Sequence, residues 1–429
     1  VEFDTLKAVA TAVLGLVLCW IASGFIHLTL GGLGPSALNR GRRRSQPRHP
    51  EGSGMISVRR IDTASRADVR AFIRFPFKLY RGDPLWVPPL LMDAKLQLNR
   101  AKHPYYEHSE ADFFLAERDG QVLGRIAALE NKPHNTYHDR RWAQFYLFEC
   151  IPELPVAQAL FESVAEWARA RSLEYIVGPK GFGALDGYGM LVAGFEHRPA
   201  MTMMNYNPEY YPQFMDRLGF QKEVDFVSCE LTVERFALDE RIHHIAARAA
   251  RRSGLRVLRF KSKSGLRAWA PKIGEAYNRA FVHNWEYYPL SSREIAFLTD
   301  NLLSVADPRL IKLIAHEDQV VGFLFAFPDV SRGLQRARGR LFPFGIFHLL
   351  LDMQRTKEVA INGAGILPEF QGRGGNALLY SEMEKTIREG GFQRADLTQV
   401  AETAVQMRRD LENVGGNPYK NHRVFIKSL

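Results

Sequence analysis

Residues 366–376 read Ile366-Leu-Pro-Glu-Phe-Gln-Gly-Arg-Gly-Gly-Asn376, with three glycines in the four positions 372–375. Glycine tolerates unusual dihedrals and lets a ligand oxygen come up to the backbone where a Cβ would otherwise stand. A helix is expected to open at about Asn376. Unpaired N–H groups at a helix start, with the helix dipole behind them, form an anion cradle, and Arg373 adds a full positive charge. The chemistry that fits is pyrophosphate binding by the turn Gly372, Arg373, Gly374 and Gly375 and the helix start at Asn376. Walker A would need Gly-Lys-Ser/Thr after four spacer residues, and the dinucleotide fingerprint a later acidic residue on a neighbouring strand. This turn has neither.

A second unusual stretch is Gly178–Gly194, with six glycines in 17 residues after the strand Tyr175 to Val177. Such a loop at the carboxyl end of a sheet strand can wrap a substrate, with Lys180, Asp186 and Tyr188 as polar contacts. It can equally be a long structural turn, and the residues leave both readings open. No His-Glu-x-x-His or Gly-x-Ser-x-Gly occurs, so the usual metalloprotease and α/β-hydrolase signatures are absent. Cys19, Cys150 and Cys229 are far apart, odd in number and without a Cys-x-x-Cys pair. Neither a disulfide framework nor a metal site is expected, and a reducing compartment fits.

These residues must be positioned by regular elements. Val359 to Leu367 reads as an apolar strand feeding the glycine turn, followed by a helix to Gly390 and a strand Gln393 to Val400. A helix Ala404 to Glu412, a Gly415-Gly416 stop and a closing strand His422 to Ile426 complete the chain. Upstream, Ile56 to Ile61 alternates as a strand, and Ala67 to Tyr80 is a helix. A hairpin turns at Arg118 to Gln121, Trp142 to Phe148 is a strand, and Val156 to Arg171 is a helix. A helix is also expected over Leu266 to Phe281, and a hairpin turns about Glu317 to Gln319.

Gln371, Gly374 and the strand-Pro-Glu-Phe lead-in resemble the acyl-coenzyme A loop of the GNAT (Gcn5-related) N-acetyltransferase superfamily, Gln/Arg-x-x-Gly-x-Gly/Ala. Asn376 stands where the family prefers Gly or Ala. From Ile56 to Leu429 the layout resembles bacterial acyltransferases of two GNAT lobes. The implied fold class is α/β (α+β), a tandem GNAT-like acyl-CoA N-acyltransferase fold of two mixed sheets flanked by helices. The expected domains are 1–54 (apolar segment and basic linker), 55–235 (a lobe without a donor loop), 236–254 (a linker helix) and 255–429 (the donor-binding lobe). In the first lobe the matching turn, Glu149 to Pro155, has no glycine and two acidic residues, so no donor site is expected there.

The resemblance also implies a bulged strand around Gly363 to Leu367 that meets pantetheine and the thioester, with Ile366 and Leu367 among the donor contacts. Loops corresponding to Val282–Leu290 commonly line the family's acceptor pocket. That makes Asn284 and Glu286 candidates for chemistry, and Trp285 and Tyr288 candidates for acceptor contact or packing. Many members protonate the leaving thiolate with a tyrosine on the helix after the fifth strand. None stands in Ala404 to Glu412, so Tyr419 is the nearest substitute. The implied activity is direct N-acyl transfer from acetyl-CoA or a longer acyl-CoA to an amine. A tRNA-dependent aminoacyl transferase and a non-catalytic acyl-CoA-binding protein are the alternatives.

With 429 residues, 46% of them hydrophobic, the chain can build two or three ordinary domains. A net charge of +10 and a pI near 9.5 favour anionic partners. Those expected are acyl-CoA, a small-molecule or lipid-like amine, an acyl carrier protein and a membrane surface, with nucleic acid not expected. Nine Lys or Arg residues lie in Asp239 to Arg267, as a solvated linker face or a basic wall beside the cleft. The apolar run Leu341–Met353 follows an arginine-rich segment and either packs on the other lobe, covers an acyl chain or touches a membrane. Residues 8–30 are apolar, uncharged and long enough to span a bilayer, and the arginines at 40–44 would leave the rest cytoplasmic. The alternative is that Met55 is the working start.

Overall fold

The structure, a computed structural model, describes residues 54–183, 186–234, 238–285 and 287–429. The apolar stretch 8–30, its basic linker and Glu286 lie outside the described residues. None of the described helices is long and apolar enough to cross a membrane.

In the first half the elements are β1 (Ser57–Arg60), α1 (Arg66–Leu79), α2 (Leu91–Gln97), β2 (Glu110–Arg118), β3 (Gln121–Glu130), α3 (Lys132–Tyr137), β4 (Trp142–Cys150) and α4 (Leu154–Arg169). After these come β5 (Tyr175–Gly178), β6 (Met190–Ala193), α5 (Tyr210–Arg217) and β7 (Gln221–Thr232). The second half runs α6 (Glu240–Arg252), β8 (Leu255–Leu258), α7 (Lys263–Arg267), α8 (Ala270–Ala280), α9 (Ser292–Val305), β9 (Ile311–His316) and β10 (Gln319–Pro328). It continues with α10 (Ser331–Ala337), α11 (Gly345–Arg355), β11 (Glu358–Ile366), α12 (Gly375–Glu389), β12 (Arg394–Ala401), α13 (Val405–Asn413) and β13 (Asn417–Ser428).

The two expected sheets are joined into one of 13 strands, in the order β1-β2-β3-β4-β5-β13-β7-β12-β11-β10-β9-β8, with β6 on β13. The join arises because the closing strands are exchanged. The chain's last strand, β13, pairs with β5 from Phe425↔Gly178 to Ser428↔Tyr175, and on its other edge with β7. In turn β7 leaves the first half and pairs antiparallel with β12. Each half-sheet is therefore completed by the other half's final strand.

Several local expectations change. The stretch 266–281 is two helices rather than one: α7 ends at Arg267, and α8 starts afresh with Trp269 as its cap and Pro271 in its first turn, where proline's missing N–H is tolerated. Gly178–Gly194 contains the strand β6. The helix α9 opens with a capping box, in which Ser291 Oγ accepts from Glu294 N–H and the Glu294 carboxylate accepts from Ser291 N–H. The second-half core is built on β10, where Phe323 and Phe327 are wholly buried. In the first half, Phe145, Phe161 and Phe220 pack edge to face or tilted between the sheet and α4.

Candidate acyl-donor and acceptor site

The strand β11 and the strand β12 run parallel and pair only from Glu358↔Arg394 to Ile361↔Leu397. Beyond that point they part. The end of β11 stays on β10, with Ala364 opposite Leu324 and Ile366 opposite Gly322, while Val400 and Ala401 of β12 stay on β7. Bulges drive the divergence: β10 and β11 slip register between Leu324 and Ala326, and β12 and β7 between Leu397 and Val400. Gly363 sits in the first bulge at φ +101° and Gln399 in the second at φ +49°. A cavity of about 670 Å³ enters the gap.

The glycine turn stands where β11 ends. Gly372 and Gly374 have φ +74° and +83°, Gly374 is the cap of α12, and Gln371, Gly372 and Arg373 are exposed. Among the described residues the N–H groups of Gly372, Arg373 and Gly374 meet no hydrogen-bond acceptor. A Cβ on Gly374 would come within 3.0 Å of Ala249 and 3.1 Å of Ile245, so the turn rests on α6. By helical spacing Arg241, Arg248 and Arg252 share the Ile245 face of that helix. All three are exposed, and none of their guanidinium groups is ion-paired among the described residues. The basic wall weighed from sequence thus borders the turn.

In the first half the matching corner is filled by protein. Tyr211 Oη accepts from Cys150 N–H at 2.7 Å, and Tyr210 Oη donates to the Cys150 carbonyl at 2.7 Å. Glu149 and Glu153 are tied to Arg125 and Arg118. No cradle remains there.

Three groups of residues line the cavity. Gln371, Asn376, Tyr380 and Asp410 belong to the turn and the helices beside it, and Asn376 Nδ2 donates to Asp410 Oδ2 at 3.5 Å. A broad apolar wall comes from α8, α9 and β10, including Ile273, Tyr277, Ile295, Leu298, Leu302 and Phe323. The third group is Tyr188, His283, Asn284, Trp285, Gln399 and Thr403. Gln399 clasps the glycine-rich stretch of the first half: its Oε1 accepts from Tyr188 N–H at 3.0 Å, and its Nε2 donates to the Tyr188 carbonyl at 2.6 Å. The Lys180 ammonium lies 5.5 Å from the Tyr188 ring centre and 5.2 Å from that of Trp285.

The candidates read from sequence therefore divide. Ile366, Gln371, Asn376, Asn284, Trp285 and Tyr188 line the cavity. Leu367, Gly372, Arg373, Gly374 and Gly375 form the turn around it without lining it. Tyr288 is buried elsewhere, donating to Glu294 Oε1 at 3.0 Å. Asp186 accepts from the N–H groups of Phe182 and Gly183, at 2.6 and 3.0 Å, as a loop anchor. Tyr419 does not line the cavity; its hydroxyl donates to the buried Asp396. The cavity's own tyrosine hydroxyl beside α13 is that of Tyr380, from α12. It contacts Met407 Sδ at 3.9 Å, and burial together with Asp410 pushes its pKa up, so it stays protonated. Tyr380 belongs to the helix before β12 rather than the one after it, only six residues past Gly374.

No protein-family model matches the chain. It is 29% identical over 381 residues to the bacterial ceramide synthase of Caulobacter vibrioides, covering 86% of this chain and 97% of that protein. It is 25% identical over 374 residues to Protein YghO of Escherichia coli, covering 85% and 94%. Among solved structures it is similar to a tandem GNAT protein from the clavulanic acid biosynthesis pathway, determined without AcCoA. There the TM-score is 0.51 and the identity 10%, over 87% of this chain and 98% of that one.

Proposed function

We propose that this chain, which has the tandem GNAT acyltransferase fold, transfers a long acyl group from an acyl-coenzyme A to the amine of a lipid-like acceptor. The observation that carries this reading is one cavity running from Gln371 and Asn376, which flank the glycine turn, through the gap between β11 and β12, onto an apolar wall. A two-carbon acyl group needs no such wall. A ceramide, the product named for the Caulobacter relative, is an amide of a long-chain acid with a long-chain amino alcohol. Both halves of that chemistry suit the lining.

In this proposal the bare N–H groups of Gly372, Arg373 and Gly374, with the α12 dipole and Arg373, hold the pyrophosphate. Pantetheine lies along the unpartnered edge of β11, whose bulge at Gly363 turns backbone N–H groups toward the thioester oxygen. The amine nitrogen attacks the thioester carbonyl, the C–N bond forms and the C–S bond breaks. One amine proton passes to His283, the basic side chain among the loop residues 283–285 that line the cavity. Tyr380 supplies the proton that ends on the departing thiolate. No covalent enzyme intermediate is involved.

The test is thiol release from palmitoyl-CoA in the presence of a C18 2-amino-1,3-diol, with the amide product identified by mass spectrometry. The expected result is one amide per thiol and saturable binding of coenzyme A by calorimetry. Coenzyme A binding without turnover would leave only a binding protein. Absence of coenzyme A binding would sink the whole reading.

A further inference from the structure

The insertion between β10 and β11 carries a surface that neither the fold nor the cavity uses. Its helix α11 is apolar on two sides. Leu349 and Met353 pack inward on the second-half core. Facing out are Phe347, Leu350 and Leu351, exposed by 45%, 48% and 39%, and on the turn before them Phe342 and Phe344, exposed by 74% and 63%. A lone exposed apolar residue is ordinary. Five within ten positions of one rigid insertion are a contact surface, because a globular protein's outer helix normally shows water a polar face.

The charges around this patch have one sign. Residues 331–355 hold five arginines and a single acid, Asp352. Asp352 is buried, accepting from Gly333 N–H at 2.6 Å and pairing with Arg336. Arg332 is bound to Glu358. Arg338, Arg340 and Arg355 are exposed and make no ion pair or hydrogen bond through their guanidinium groups among the described residues. The patch is also firmly mounted. Leu91 N–H donates to the Gly339 carbonyl at 2.8 Å, and Gln335 Nε2 donates to the carbonyls of Pro84 and Trp86 at 2.8 and 3.1 Å.

We propose that the 338–355 insertion docks the protein on an anionic lipid bilayer, with Phe342, Phe344, Phe347, Leu350 and Leu351 entering the headgroup–acyl boundary and Arg338, Arg340 and Arg355 meeting lipid phosphates. Aromatic and leucine side chains framed by arginine are the chemistry of an interfacial helix. Each arginine near such a surface is worth about fivefold in partitioning at moderate salt. A second copy of the chain fits poorly, since a two-fold contact through this patch would set the same arginines against each other. None of the five apolar residues lines the cavity, so docking and acyl transfer can be tested apart.

The full chain is mixed with vesicles of phosphatidylcholine alone or with 30% phosphatidylglycerol, and the bound fraction is read by flotation. The wild type is expected to float with the anionic vesicles, less so at high salt. Phe342→Ser/Phe344→Ser/Leu350→Ser is expected to lose more than about tenfold in partitioning. Arg338→Gln/Arg340→Gln/Arg355→Gln is expected to lose the preference for anionic lipid. Thiol release with a water-soluble amine and circular dichroism serve as controls for folding. In a separate arm, Phe344→Trp is compared with the wild type for extra fluorescence quenching by brominated lipid. Equal flotation of wild type and serine variant, as when residues 8–30 alone hold the chain, overturns the proposal. So does absence of binding with concentration-dependent dimerisation that the serine variant abolishes, or an added indole signal in Phe344→Trp that brominated lipid leaves unchanged.

Discussion

Leu298 stands on α9 and lines the apolar wall of the cavity, so Leu298→Trp should shorten the acyl chain the protein accepts. The exchange adds about six heavy atoms, enough to displace about four methylenes, and at ~0.8 kcal/mol per buried methylene the lost transfer is ~3 kcal/mol. That is about two orders of magnitude in kcat/KM for a palmitoyl donor. An acetyl or butyryl group does not reach that far along the wall, and its kcat/KM should change by less than about threefold. The assay is thiol release across a donor series from two to sixteen carbons, with one amine at fixed concentration. The selective pattern is the informative one, since a variant that is merely less stable loses activity evenly. An equal loss at every chain length, or none at any, would refute the assignment of this wall to the acyl group.

Three further outcomes are expected. Arg248→Gln/Arg252→Gln should raise the KM for acyl-CoA by about two- to fivefold at low salt and less at high salt, because exposed charges beside the turn attract phosphate through screened solvent; kinetics at two ionic strengths decides. Gln399→Gly keeps a residue that accepts φ +49° but removes both bonds to the Tyr188 backbone, at ~2 kcal/mol. It should weaken acceptor use more than coenzyme A binding, which kinetics and calorimetry separate. Burial lowers the His422 pKa from 6.5 to about 3, against the Asn205 carbonyl that accepts from its Nε2 at 3.0 Å. The unfolded chain therefore takes up this proton first as pH falls below 6.5. Stability is lost by about 1.4 kcal/mol per pH unit from this residue, to ~5 kcal/mol near pH 3. Burial also lowers the pKa of His103 and His134, so denaturant titrations between pH 5 and 6.5 should show at least that slope, and His422→Gln should reduce it by about 1.4 kcal/mol per pH unit without abolishing it.

The glycine turn and the bulge in β11 were legible because their signals are local. Glycines 372, 374 and 375 and the proline before them punctuate a strand-to-helix turn in any context, and Gly363 marked the bulge in an otherwise apolar strand. The apolar wall of the cavity was not legible, because the periodicity of Ile273, Tyr277, Leu298 and Leu302 says only that these positions avoid water. Whether they meet each other or a cavity depends on how far β11 and β12 part. Tyr380 was not legible either, because the family pattern points to the helix after β12, whereas this side chain reaches the same cavity from the neighbouring helix. The exchange of β7 and β13 left no trace either. Both are alternating strands that follow a helix and a glycine, and nothing within either says which partner it takes. The clasp of Gln399 on Tyr188 joins residues 211 positions apart and is a product of that exchange.

Because residues 417–428 form the strand that seals the edge of β5, the first half cannot finish its sheet until that strand has been synthesised. The two halves should then mature together, with the raw edge of β5 open to stray pairing in the interval. A gene split near residue 235 should give fragments that are insoluble alone and recover function only when coexpressed. Removal of the final dozen residues should damage the half farthest from them in sequence as severely as their own.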